Sequence, residues 1–182
     1  MSQTINKKMT TRNMILCALF AVLIGIGARI SIPTAPPITL QTLFVVLAGV
    51  LLGAKYGTIS AVLYLVLCLI FPAFTVSGTI ATPTFGYIIG FCVGAFVIGL
   101  LVSRLSEYKF WKLFLIALIG IAVIYAIGII YFYFYTNFAT SNSITVSALM
   151  ISCVVMPFPG DVLKCLLAAW LGSRLIPVLK KV

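Results

Sequence analysis

Trp111 to Tyr135 reads WKLFLIALIGIAVIYAIGIIYFYFY, and after Lys112 it carries no charge. A helix needs about 20 mostly apolar residues to cross a bilayer's hydrocarbon, so this run is long enough for a complete span. It closes on Tyr131-Phe132-Tyr133-Phe134-Tyr135, the composition of an interfacial aromatic belt. The rest of the chain has the same character: 63% of its 182 residues are hydrophobic and 8% charged, with mean hydropathy +1.28. A soluble domain carries about 25% charged residues. The composition therefore excludes a soluble enzyme, a nucleic-acid module and a disordered chain, and identifies an integral membrane protein.

Working outward, the first apolar run is Met14 to Ile30, preceded by Lys7, Lys8 and Arg12. That flank has the look of a signal peptide, but the chain stays hydrophobic to its end, so a retained first helix is expected. Ser31-Ile32-Pro33-Thr34-Ala35-Pro36-Pro37 breaks the helix. Two short runs follow, roughly 40–52 and 57–71, joined by Gly53-Ala54-Lys55-Tyr56-Gly57; their length suggests tilt or a helix packed inside the bundle. An uncharged connector, about 72–84, leads to a fourth run at about 85–103, and the fifth is 111–135. After polar residues 136–145 comes an apolar segment near 146–156, then Pro157-Phe158-Pro159-Gly160 and a last run at about 161–176, with Pro159 suited to open it. The expected fold is a single all-α membrane domain of six transmembrane helices over residues 1–182, with 146–156 a partial helix before the sixth.

The net charge of +10 reads as topology rather than as a nucleic-acid footprint, which needs basic residues clustered on a solvated face. Lys and Arg concentrate in cytoplasmic loops. Six spans with both termini cytoplasmic place ten of the twelve basic residues on that side: Lys7, Lys8, Arg12, Lys55, Arg104, Lys109, Lys112, Arg174, Lys180 and Lys181. The three outer connectors hold none, and Arg29 and Lys164 lie near the outer ends of their helices.

The chain has no histidine and two acids, Glu107 and Asp161. Without histidine there is no Ser–His or Cys–His couple and no imidazole metal ligand, and the two acids, far apart in sequence and on opposite sides of the membrane in this topology, cannot form a catalytic carboxylate pair, so binding is expected and catalysis is not. Cys17, Cys68, Cys92, Cys153 and Cys165 show no metal-like spacing and sit in or beside apolar runs, as small hydrophobes do. Ala48 to Lys55 superficially resembles a phosphate loop, but Ala54 intervenes between Gly53 and Lys55 and Tyr56 follows, so no nucleotide site is expected. Ionisable residues at membrane depth default to functional candidates; here they are Asp161, Lys164 and Arg29. Asp161 and Lys164, three apart, share a helix face, and Asp161 falls in a first turn where the helix dipole favours a carboxylate. The alternatives are a structural ion pair for these two and an Arg29 that snorkels to the headgroups. Thr39, Gln41, Ser77, Gly78, Thr82, Thr84, Gly86 and Tyr87 gather at the same end. A mostly apolar cavity with a few convergent polar groups suits a small molecule.

Ile32-Pro33 through Pro37-Ile38-Thr39-Leu40-Gln41-Thr42-Leu43 resembles the first-loop signature of the BioY family, the biotin-binding S components of energy-coupling factor (ECF) transporters. Ala48-Gly49 through Gly53-Ala54-Lys55-Tyr56-Gly57, Pro83-Thr84-Phe85-Gly86-Tyr87, Gly90-Phe91 and Pro157-Phe158-Pro159-Gly160-Asp161 with Lys164 match in order. The resemblance implies a six-helix plasma-membrane subunit of bacterial type that captures biotin from outside, with Asp161 and Lys164 as the polar pair of the last helix. It further implies a transmembrane T subunit and two cytoplasmic ATPases as partners. Small residues on the first helix would dock the T subunit: Ala18, Ala21 and Gly25, with Val22 where the family usually keeps alanine.

The chain departs from the family at Thr75-Val76-Ser77-Gly78-Thr79-Ile80-Ala81 and Phe85-Gly86, where glycines are usual. A bulkier connector leaves a related carboxylate-tailed cofactor such as lipoate or dethiobiotin as the second reading. A small membrane enzyme or an assembly subunit are weaker ones. Biotin's ureido N–H groups suit Asp161, its carbonyl suits Gln41 or Thr39, and its apolar body suits Phe74, Phe85 and Tyr87. Its carboxylate suits Lys164 or Arg29.

Overall fold

The computed structural model describes residues 10–34, 36–71, 81–139 and 145–181. Helix α1 spans Thr11–Arg29 and is opened by Thr10, whose side chain accepts from the Asn13 amide at 3.4 Å. Thr is a favoured N-cap because its oxygen satisfies a first-turn N–H. The proline-rich connector carries two short antiparallel strands, β1 (Ser31–Ile32) and β2 (Ile38–Thr39), with Ser31 opposite Thr39 and Ile32 opposite Ile38. The Leu40 amide donates to the carbonyls of Gly27 and Ile30, both at 3.1 Å, which fastens the connector to the end of α1.

Helix α2 spans Gln41–Ile70 and is broken at Gly53, whose φ of 77° and ψ of −178° are non-helical. That conformation is essentially restricted to glycine. The chain reverses there: a Cβ on Gly57 would lie 2.8 Å from the Ala48 carbonyl oxygen, which a straight helix could not bring so near. The expected five-residue link thus contracts to one glycine, and helix resumes at once. The first arm is buried along nearly all of Gln41 to Val50. It is a core element, as its shortness suggests.

Helix α3 is Phe85–Ser103, and α4 is Phe110–Phe134, continued by a π-helical turn at Tyr135–Ala139. Helix α5, Val146–Met150, runs into a second π turn, Ile151–Val155, and then α6, Phe158–Lys181. Pro159 sits in the first turn of α6, where its missing N–H costs nothing. Five helical stretches among the described residues are long and apolar enough to cross a membrane: Thr11–Arg29, Gln41–Ile70, Phe85–Ser103, Phe110–Ala139 and Val146–Leu179.

Apolar residues cover both sides of the bundle wall. Ile24, Val45, Val46, Ile98, Leu113 and Ile124 are fully buried or nearly so, while Ile15, Leu19, Ile26, Leu115 and Leu163 are exposed. An apolar exterior belongs to a protein whose solvent is lipid. Helices α3 and α4 approach closely, since a Cβ on Gly90 would lie 2.9 Å from the Ile124 carbonyl oxygen. Small residues permit such contact where lipid offers no hydrophobic drive for helix association.

Candidate functional site

Asp161 occupies the first turn of α6, and its carboxylate is the focus of one end of the bundle. It is 3% exposed. Lys164, one turn on, places its ammonium 2.6 Å from Asp161 Oδ1. From the start of α2, the Thr42 hydroxyl donates to the same oxygen at 2.8 Å. From α4, the Tyr125 hydroxyl donates to Oδ2. Lys164 also donates to the Thr39 carbonyl at 2.6 Å and to Thr42 Oγ1 at 3.1 Å. A buried charge persists only when paired and hydrogen-bonded, and this pair is both.

The second layer starts at Gln41, 4% exposed. The Thr39 hydroxyl donates to Gln41 Oε1 at 3.0 Å, while Gln41 Nε2 donates to the Tyr64 hydroxyl at 2.6 Å. Tyr64 is completely buried in the second arm of α2, so it fixes which way the glutamine amide faces. Tyr87 of α3 stands edge-on to Tyr125, with ring centroids 6.4 Å apart. Its hydroxyl reaches the Cys153 carbonyl at 3.4 Å, where the chain turns toward α6.

All of these residues except Tyr64 line one cavity of about 50 Å³, room for a few waters. Thr39, Gln41, Thr84, Tyr87, Asp161 and Lys164 are all in its wall, together with Pro36, Pro37, Ile38, Ile88, Phe91 and Pro157. The mixture is amphipathic: an apolar wall, one carboxylate, one ammonium and several neutral donors. It can accept N–H groups at Asp161, donate from the second Gln41 N–H, and pack a saturated ring or tail.

Other expected residues lie elsewhere. Phe85 is a core residue, 6% exposed and packed on Tyr131 at 6.1 Å, and it is not in the cavity wall. Arg29 ends α1 on the exterior, also outside that wall. Phe74 and Ser77 fall outside the described residues. On α1 the small-residue stripe divides. Ala18 and Val22 are on the exterior, whereas Ala21 and Gly25 are buried against the bundle, so those two present no outer surface. The structure adds Thr42, Tyr125 and Cys153 to the wall and Tyr64 behind Gln41, none of them among the expected site residues. Thr42 directly follows Gln41, and Tyr125 is an isolated hydroxyl in the middle of an apolar run, which is the sequence signal they leave.

Among the described residues the five cysteines are free thiols and no cluster has a metal-holding composition. A multi-pass helical bundle whose polar groups converge on a small cavity at one end defines a solute-binding membrane protein. The chain belongs to the BioY family, whose model matches residues 1–181. It is 36% identical to the biotin transporter BioY of Thermotoga maritima, over 90% of this chain and 95% of the relative. It is 37% identical to that of Rhizobium etli, over 92% and 95%. The crystal structure of the S-component for biotin from an ECF-type ABC transporter superposes with a TM-score of 0.76 at 29% identity, over 92% of this chain and 94% of that one.

Proposed function

We propose that this chain is the substrate-binding S subunit of an ECF-type biotin uptake system. The observation that carries the reading is the buried Asp161–Lys164 pair, held by Thr42 and Tyr125 in a cavity wall, in a chain whose relatives are named biotin transporters. The arrangement is six crossings of the plasma membrane: α1, the two arms of α2, α3, α4 and α6. Both termini are cytoplasmic and the Asp161 end faces outward. In its support, that orientation puts ten of the twelve basic residues inside.

The hydrogen-bond inventory assigns the ligand's groups. Asp161 accepts three donors, and a carboxylate has about four lone-pair sites, so Oδ2 can take a ureido N–H beside Tyr125. The second N–H of Gln41, oriented by Tyr64, meets the ureido carbonyl. Every N–H of Lys164 is engaged, and the bonds to the neutral Thr39 carbonyl and Thr42 hydroxyl are displaced by a ligand carboxylate more readily than the ion pair with Asp161. Biotin is larger than the cavity, so its entry parts the walls. The β1–β2 connector supplies one of those walls, and Lys164 ties it to α6 through the Thr39 carbonyl. Ligand capture and connector movement are therefore coupled through one ammonium. A T subunit docking on the exterior face of α1 and two ATPases supply the energy for uptake.

The test is equilibrium binding of labelled biotin to the detergent-purified protein, with dethiobiotin and lipoate as competitors. Dethiobiotin keeps the ureido group and should displace biotin well; lipoate lacks it and should compete poorly. Equal competition by lipoate would show that Asp161 does not read the ureido ring and would favour the lipoate-type alternative. Co-purification with a T subunit and two ATPases checks the assembly.

A further inference from the structure

A second cavity, of about 400 Å³, opens at the opposite end of the bundle. The start of α1 (Arg12, Asn13, Leu16), the Gly53 bend of α2, the end of α3, Tyr108 and the end of α6 enclose it. Its walls are mostly apolar, supplied by Val50, Leu51, Leu52, Val102 and Ile176, and its rim is polar. Arg12 donates to the Leu179 carbonyl at 3.2 Å, which spends one N–H of a guanidinium fork suited to phosphate. Among the described residues Arg12 has no acidic partner. The acid at this end, Glu107, pairs with Lys109 at 2.8 Å. Lys55, Arg104, Lys112 and Arg174 belong to the same end by their places in the helices, and in sequence Lys7, Lys8, Lys180 and Lys181 flank the two helix ends that meet here.

A polar rim carrying one arginine over an apolar hollow, in a protein embedded in lipid and with further basic residues at the same end, matches an amphiphile with an anionic head. We propose that this cavity binds a phosphate-bearing anion, specifically an anionic phospholipid, with Arg12 on the phosphate oxygens and an acyl segment against the α2 and α3 walls. Basic pockets between transmembrane helices take lipid headgroups by the same chemistry. The bound lipid would bridge α1 to α6 beside the Arg12–Leu179 bond and bury the α2 bend. The site is distinct from the Asp161 cavity and independent of its ligand.

The experiment is native mass spectrometry of the full-length protein, titrated with phosphatidylglycerol or phosphatidylcholine, with inorganic phosphate as competitor. Saturable phosphatidylglycerol binding with little phosphatidylcholine retained is expected. Arg12→Gln keeps a donor for Leu179 but loses the charge, and should weaken phosphatidylglycerol roughly tenfold, the scale of a charge-assisted bond. Arg12→Lys should be intermediate. Ser103→Phe, at the exposed rim, should obstruct the hollow without touching the charge, and keeps the proposal falsifiable if Arg12→Gln does not fold. Displacement by inorganic phosphate would place the affinity in the headgroup, and resistance to it would place it in the acyl chain; each supports the site. Phosphatidylcholine held as tightly as phosphatidylglycerol, or unchanged binding in both Arg12→Gln and Ser103→Phe, would overturn it.

Discussion

Neutralising one member of the Asp161–Lys164 pair should cost more than neutralising both. In Asp161→Asn the ammonium of Lys164 keeps two neutral acceptors, the Thr39 carbonyl and the Thr42 hydroxyl, but loses its counter-charge. The amide also offers one oxygen where the carboxylate offered two, so Tyr125 or Thr42 loses its acceptor. In Lys164→Met the carboxylate keeps Thr42 and Tyr125 as donors but stands unneutralised. The two side chains are 4% and 11% exposed, so solvent screens little of either charge. Removing one partner of a buried pair costs about 3–5 kcal/mol; with the remaining hydrogen bonds, about 3 kcal/mol each is expected here. The double variant buries no charge and should lose less than either single variant, about 1–2 kcal/mol, well short of the sum. Reversible unfolding in mixed detergent micelles, run as a double-mutant cycle, reads the coupling directly. If the single costs add in the double variant to within about 0.5 kcal/mol, the two charges do not sustain each other and the network has been misread.

Further outcomes follow from other elements. Gly53→Ala should destabilise by about 1–3 kcal/mol through backbone strain alone, since a Cβ there meets nothing within 4 Å; Gly53→Asn should not rescue it, because the extended ψ lies outside the left-handed well that asparagine tolerates. Ala21→Leu should cost about 1–3 kcal/mol by overpacking the core, whereas Ala18→Leu should leave unfolding within about 0.5 kcal/mol of wild type while reducing co-purification with a T subunit. Tyr64→Phe removes the acceptor that orients Gln41 and should cost about 1 kcal/mol of stability, with a few-fold loss of biotin affinity measured by equilibrium dialysis.

Hydropathy located the spans because a helix in lipid must be continuously apolar, and the scarcity of charge singled out Asp161 and Lys164. The same logic could not orient α1. Lipid and bundle interior are equally apolar, so nothing in the composition of Ala18, Ala21, Val22 and Gly25 says that the boundary between them runs through the stripe. Phe85 illustrates the same limit, since an aromatic ring suits a ligand wall and the Tyr131 packing equally. Thr42 and Tyr125 reach Asp161 across sequence separations of 119 and 36 residues, and such convergence is set by helix packing rather than by local pattern. The Gly53 reversal was legible as a break; its restriction to one residue follows from a backbone conformation that spacing does not encode.

The most direct test compares equilibrium binding of labelled biotin to the wild type and to the Asp161→Asn, Lys164→Met double variant, which the stability cycle shows to be folded or not. Saturable binding to one site in the wild type, weakened about a hundredfold or more in a folded double variant by the loss of two charge-assisted contacts, is the predicted result. Wild-type protein without saturable binding, or a double variant that binds as tightly as wild type, would contradict the assignment of the Asp161 cavity as the biotin site.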